Sequence, residues 1–189
     1  KLMEQRKLSR GNLNRIFDTL LAYYGPRNWW PGDTRFEIVA GAILTQNTSW
    51  KNVEKAIGAL KKSKVLTPRK MEKLPDKELA LLIKSSGYYN QKAIKLKNFL
   101  RYFKRYGYSF AALRRMPAVR LREELLEIKG IGEETADSIL LYALEKPVFV
   151  IDAYTKRVFG RLGYVDGNIK YSELQSLIAK NLQKDTDFF

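Results

Sequence analysis

The stretch Glu127–Leu140, EIKGIGEETADSIL, places two glycines one residue apart between two segments of helical spacing, and the second segment opens on two glutamates. Apolar residues recur three and four apart from about Val119 to Ile128 and again from about Glu133 to Leu144. The stretch therefore spells helix, Lys-Gly-Ile-Gly, helix. Gly130 and Gly132 permit a tight backbone and strip side chains from the outer surface of the turn. Backbone amides at the start of the second helix would then read a phosphate without reading a base. A plain hairpin of two helices with no ligand has the same spacing. A dinucleotide-binding turn does not, because it needs a strand before the glycines and a third glycine where this sequence has Thr135.

Helical periodicity extends outward from this hairpin in both directions. Upstream, Leu13, Ile16, Phe17, Leu20, Leu21 and Tyr24 form one stripe, closed by Gly25-Pro26. A helix from about Arg35 to Leu44 is apolar on most sides, as a buried central helix should be. Trp50, Val53, Ala56, Ile57 and Leu60 mark a third helix starting near Ser49, and Thr67-Pro68 and Pro75-Asp76 start two more. After a Gly and Asn turn in SSGYYNQKA, a long helix to Tyr106 turns Ala93, Leu96, Phe99, Leu100 and Phe103 inward. Its basic residues Lys92, Lys95, Lys97, Arg101, Lys104 and Arg105 read as a solvated face. Downstream, Val148–Ile151 is too short and too isolated for a sheet, and helices near 153–163 and 171–182 finish the chain. The predicted fold class is all-α, with about ten helices and no internal repeat.

Charge narrows the partner. The 189 residues carry 35 Lys and Arg against 20 Asp and Glu, a net charge of +15, which points to a polyanion such as nucleic acid. No apolar run reaches the ~20 residues of a membrane-spanning helix, and no signal-peptide pattern is seen, so a cytoplasmic location without membrane contact is expected. The sequence has neither cysteine nor histidine. Thiol nucleophiles, Ser-His-Asp triads and Cys/His metal sites are thereby excluded, and carboxylate and lysine chemistry remains. Twenty residues after Gly132, Asp152 follows an apolar run and precedes a helix, so it reads as an N-cap that could also serve as a catalytic carboxylate.

With this Asp behind the hairpin, the chain resembles the helix-hairpin-helix DNA glycosylases of the endonuclease III superfamily. GAILTQNT at 41–48, SGYYNQKA at 86–93, IKGIGEETAD at 128–137 and VFVIDAYTKRV at 148–158 carry the resemblance in the family's order. It implies a helical barrel with the hairpin over residues 28–146, and a second helical lobe from residues 1–27 and 147–189, with the active site in the cleft between them. It also implies a monomer, nucleoid-associated in a prokaryote, that bends double-stranded DNA and flips a damaged base into that cleft. Asp152 matches the catalytic aspartate, and Lys129, Gly130 and Gly132 match the phosphate-binding hairpin. Gln46, beside Asn47, matches the residue that fills the gap left by the flipped nucleotide, and Tyr88 and Tyr89 match the loop that wedges the opposite strand.

Two departures refine what the resemblance implies. Members that also cut the backbone place a lysine where this sequence has Glu134, so a glycosylase without lyase activity is expected; Lys129 and Lys156 are nearby amines but match no nucleophile position. The chain is most similar to the subgroup that excises 3-methyladenine, in which Trp29, Trp30, Pro31 and Trp50 line the base pocket and Glu134 faces into it. From sequence alone, Trp29 and Trp30 also fit a loop anchor, and Trp50 a core position. Many relatives continue into a four-cysteine iron-sulfur loop, whereas this sequence stops at DTDFF; such a cluster is expected only if the native chain extends further, and no other cofactor or metal is expected.

Overall fold

The computed structural model of the chain describes residues 6–26 and 30–182, and among these it is all helical, with no β-strand. The chain divides into two compact units, one spanning Trp30–Lys146 and one made of Lys1–Trp29 with Pro147–Phe189. Trp29 lies outside the described residues.

The Trp30–Lys146 unit is built around α2 (Arg35–Leu44), in which Phe36, Val39, Ala40, Ile43 and Leu44 are all buried. Thr34 starts this helix by accepting a hydrogen bond from the Glu37 amide. Around it pack α3 (Trp50–Lys62) and α6 (Tyr89–Lys104), with α4 (Pro68–Lys73), α5 (Asp76–Leu82) and the 3₁₀ turn Lys84–Ser86 lying against them. The inward stripe of α6 is the expected one: Ala93, Leu96, Phe99, Leu100 and Phe103 have almost no exposure. Truncating Phe99 or Phe103 to alanine would cost ~3–5 kcal/mol by removing buried area and leaving a cavity.

Several local features differ from the sequence expectation. Asn90 and Gln91 form the first turn of α6 and not a loop, because Tyr88 adopts a left-handed conformation (φ 46°) right after Gly87 (φ 68°) and the chain has already reversed. A short helix, α7 (Phe110–Arg115), was not anticipated; Ser109 caps it through the Ala112 amide. Next come α8 (Ala118–Leu126) and α9 (Glu133–Ser138), the two arms of the hairpin. Beyond Ser138 the helix widens into a π-helical turn, Ile139–Ala143, where a uniform α-helix to Leu144 was expected.

The basic face of α6 also needs correction. Lys92 and Lys97 are buried, with 2% and 8% of their surface exposed. The Lys92 ammonium donates to the carbonyls of Leu44 (2.9 Å) and Ser86 (2.5 Å), at the ends of α2 and the 3₁₀ turn. Lys97 donates to the carbonyls of Glu72 (2.6 Å) and Leu74, at the end of α4. Each satisfies carbonyls that a helix end leaves without an intrahelical donor.

The other unit consists of α1 (Arg10–Tyr24), α10 (Ala153–Arg161) and α11 (Tyr171–Asn181). Leu8, Leu13, Ile151, Phe159, Val165, Leu174 and Ile178 form its core. The two segments of this unit are tied by a bond from the Arg6 amide to the Gly163 carbonyl (2.9 Å). Residues 148–151 are the expected connector: the Ile151 amide donates to the Tyr171 hydroxyl, and Gln175 donates to the Phe149 carbonyl, so side chains satisfy a backbone that has no strand partner.

Candidate functional site

The hairpin between α8 and α9 turns on Gly130, whose φ of 98° suits glycine alone. A Cβ there would overlap the aliphatic stem of Lys95 on α6, so the turn is held flat against that helix. Gly132 differs: its backbone is extended, and nothing lies within 4 Å of where its Cβ would be. No side chain caps the first turn of α9, and Lys129, Gly130 and Gly132 are exposed. The hairpin's carbonyls, by contrast, are occupied. Asn98 donates to the Lys129 carbonyl (2.8 Å), and Gln46 donates to the Gly130 carbonyl (3.1 Å) and to the Thr135 hydroxyl (2.9 Å).

An ion pair within the hairpin was not visible in the sequence. Arg122 on α8 binds Asp137 on α9 through two bonds of 2.7 and 3.0 Å, and the Asp137 side chain has no exposed surface. This bidentate pair fixes the two arms against each other.

Gln46 and Asn47 lie in the turn after α2, Asn47 with a left-handed backbone (φ 52°) and an exposed side chain. The Gln46 amide group is fully engaged here, since its oxygen also accepts from the Lys95 ammonium. Tyr88 is 70% exposed at the start of α6, and Tyr89 beside it is half-buried. Lys92 joins these two loops from beneath, through the Leu44 and Ser86 carbonyls, and burial together with the neighbouring Lys95 charge lowers its pKa to about 8.

The aromatic residues cluster as well. Trp30 stacks on Tyr142 (5.0 Å between ring centres, 22° between planes) and meets Trp50 edge-on (5.5 Å, 72°). Tyr142 belongs to the π-helical turn and was not singled out from sequence; π-helical turns recur at functional sites, but nothing in the amino-acid pattern marks one. Trp30 takes a left-handed backbone (φ 81°), a strained conformation for a bulky residue, and its buried indole N–H meets no acceptor among the described residues. Gly41 makes the contact possible, because a Cβ there would come within 3.4 Å of Trp30 Nε1 and 3.7 Å of Trp50.

Trp50 and Gly41 also line an adjoining hollow of about 280 Å³ with Pro31, Glu37, Glu54 and Lys61. The Trp50 N–H donates to Glu54 (3.1 Å). Lys61 bridges Glu37 (2.6 Å) and Asp33 (2.8 Å), and those hydrogen bonds hold its pKa above the usual lysine value. Glu134 does not line this hollow; its side chain is exposed on the first turn of α9.

In the other unit, Asp152 caps α10. Its Oδ1 accepts from both the Thr155 amide and the Thr155 hydroxyl, each at 2.7 Å. No donor reaches Oδ2 among the described residues, so one carboxylate oxygen is committed to the helix and the other is open to chemistry. Among the described residues no group of three or more acidic, His or Cys side chains could hold a metal, and no helix is long and apolar enough to cross a membrane. With no cysteine in the sequence, none of the thiolates that hold an iron-sulfur cluster is supplied by these residues.

The described residues are thus all helical, with a glycine hairpin and an aspartate-capped helix after it. The chain belongs to the HhH-GPD superfamily of base excision DNA repair proteins, whose family model matches residues 40–184, a span holding Gln46, Tyr88, the hairpin and Asp152. It is a base excision repair glycosylase. It is 49% identical, over 93% of its length and 80% of the relative's, to a Methanocaldococcus jannaschii protein provisionally named a DNA repair glycosylase. To endonuclease III of Thermotoga maritima it is 32% identical, over 85% of this chain and 70% of that one. A crystal structure of the H. pylori 3-methyladenine DNA glycosylase bound to 1,N6-ethenoadenine superposes with a TM-score of 0.81 and 32% identity, covering 96% of this chain and 85% of that one. Endonuclease III in complex with DNA shares the fold at a TM-score of 0.78 and 22% identity.

Proposed function

We propose that this protein is a monofunctional DNA N-glycosylase that flips alkylated purines such as 3-methyladenine out of double-stranded DNA and removes them, leaving an abasic site. The observation that carries the lyase half of this reading is Glu134. A carboxylate at that position cannot form the Schiff base with the sugar that a lysine there would form. The substrate half is supported by the likeness to the H. pylori enzyme and by the aromatic cluster of Trp30, Trp50 and Tyr142. An N3-alkylated adenine is cationic, and aromatic faces favour it over neutral adenine by cation–π attraction. We assign Trp29 and Pro31 to the same pocket and Glu134 to face the base when it is bound.

The chemistry asked of the protein is modest, because alkylation weakens the glycosidic bond. The C1′–N bond breaks, its electron pair neutralises the departing base, and the sugar becomes oxocarbenium-like. The Asp152 carboxylate stabilises that cation through Oδ2, and as water adds to C1′ it accepts the proton the water loses. Oδ1 stays bound to Thr155, so the carboxylate is oriented while it reacts. Lys129, Gly130 and Gly132 hold a phosphate of the bent strand, Gln46 with Asn47 occupies the vacated space, and Tyr88 and Tyr89 support the opposite strand. The protein acts as a monomer.

Duplex DNA bearing one 3-methyladenine tests this function. Release of the free base, with strand breakage only after alkali, is expected. Breakage without alkali, or borohydride trapping of a covalent adduct, would replace it with a glycosylase/lyase of the endonuclease III type. Absence of base release, with a uracil or mismatch duplex processed instead, would replace the substrate.

A further inference from the structure

Lys95 projects from the middle of α6, half-buried, with its stem laid across Gly130 so closely that no side chain fits at that position. Its ammonium donates to the side-chain oxygen of Gln46, and among the described residues no carboxylate lies within ion-pair distance of it. Its charged neighbour is Lys92, another cation. The other lysine of α6 that approaches its own stretch of carbonyls, Lys97, has Asp76 at 3.8 Å, and Lys104 on the same helix has Glu72 at 2.8 Å. Lys92 on the same helix also meets only neutral carbonyls but is enclosed, whereas Lys95 is half-buried beside the hairpin turn and meets a neutral side-chain amide there. Partial burial weakens solvation, and a neutral oxygen compensates a charge poorly, so the position favours an anion.

The anion must reach the mouth of the hairpin, where Gly132 faces open space and the exposed Gly130 lies beside the Lys95 stem. In a protein of net charge +15 that acts on DNA, the ligand with that reach is a backbone phosphate.

We propose that Lys95 is a ligand for a DNA phosphate at the hairpin, and that its ammonium passes between this phosphate and the side-chain oxygen of Gln46. In the free protein Lys95 and the hairpin together hold both ends of the Gln46 amide: the oxygen by Lys95, the nitrogen by the Gly130 carbonyl and the Thr135 hydroxyl. When a phosphate takes the ammonium, one of those holds is lost. Gln46 is then freer to leave the hairpin and enter the duplex. Phosphate capture and release of the gap-filling side chain are thus coupled through one cation. The inference rests on the glycosylase reading for its ligand, duplex DNA, and for the destination of Gln46.

The test is equilibrium binding of the full chain to a duplex carrying a tetrahydrofuran abasic analogue, over a series of potassium chloride concentrations. One phosphate contact contributes about 0.9 to the slope of log affinity against log salt. Lys95→Met keeps the stem and removes the charge, so its slope should be shallower by about 0.9, making it lose about threefold less affinity than wild type over a fourfold rise in salt. Lys95→Arg should restore the slope. The same difference should persist in a Gln46→Ala background, because the phosphate contact is direct. An unchanged slope in Lys95→Met, or a slope change that vanishes when Gln46 is alanine, would overturn the proposal, the latter showing that Lys95 acts only by placing Gln46. Should Lys95→Met fold poorly, Lys95→Gln carries the same loss of charge. Wild-type binding with the full slope but no base release from any lesion would sink the glycosylase reading and leave the role of Lys95 standing.

Discussion

Replacing Arg122 with methionine leaves the Asp137 carboxylate in a fully buried position without its bidentate partner. At an effective dielectric near 20, two charges about 4 Å apart attract by about 4 kcal/mol, and breaking one side of a buried pair costs ~3–5 kcal/mol because the remaining charge is still desolvated. In a chain of this size each kcal/mol moves the unfolding midpoint by ~2–4 °C. The expected drop is therefore about 6–20 °C, followed by circular dichroism on heating. Since the pair joins the two arms of the hairpin, DNA affinity should fall even at temperatures where the variant is folded. A double substitution, Arg122→Met with Asp137→Leu, removes the buried charge along with its partner and should recover much of the lost stability. A midpoint shift under about 2 °C for Arg122→Met, or a double variant less stable than the single one, would refute the reasoning.

The two glycines of the hairpin should respond differently. Gly130→Ala forces a side chain into a left-handed position against Lys95 and should cost at least ~1–2 kcal/mol in urea unfolding, whereas Gly132→Ala, with extended backbone and open space, should leave stability within ~0.5 kcal/mol but weaken DNA binding. Equal stability losses at both positions would contradict the geometry. Lys92 sets a pH dependence. Its folded pKa of about 8 lies below the unfolded value near 10.4, so the folded protein gives up a proton that the unfolded chain keeps, and its contribution to stability should rise with pH across that window and be lost as pH falls through about 8. The stability difference between wild type and Lys92→Met, measured near pH 7.5 and near pH 9.5, should grow at the higher pH; a constant difference would show that Lys92 does not titrate there. Trp30→Phe removes an indole N–H that meets no acceptor among the described residues while keeping an aromatic face on Tyr142, so stability should change by less than ~1 kcal/mol; a larger loss would contradict this.

The helices were legible wherever burial has a period. The stripe of α6 and the nearly uniform apolar composition of α2 set which faces are buried, and Thr67-Pro68 and Asp152 marked the starts of α4 and α10, whereas the caps Ser9 and Thr34 emerge only in the structure. What escaped was decided by partners distant in sequence. Lys92 and Lys97 look like their solvated neighbours on α6, because the carbonyls they cap belong to other elements. Tyr142 owes its place against Trp30 to the π-helical turn, which shifts the register after Ser138 without altering the apolar pattern. Asp137 carried a visible motif position but no hint of Arg122, fifteen residues earlier on the opposing arm. By contrast, α7 did leave a signal, Ser109 ahead of the four apolar residues Phe110–Leu113 and Met116-Pro117 behind, but six residues are too few to show a period. At the site, Asp152 reads as a helix cap, and its Oδ1 does cap α10 through Thr155; its catalytic role belongs to the proposal.

Asp152→Asn offers the most direct test, because asparagine caps a helix about as well as aspartate and so spares the fold. Single-turnover release of 3-methyladenine from duplex DNA should proceed with the wild-type protein and fall by at least ~100-fold in Asp152→Asn, with affinity for the abasic-analogue duplex retained. Base release by Asp152→Asn at the wild-type rate, with binding equally unchanged, would contradict the assignment of this carboxylate to the chemistry.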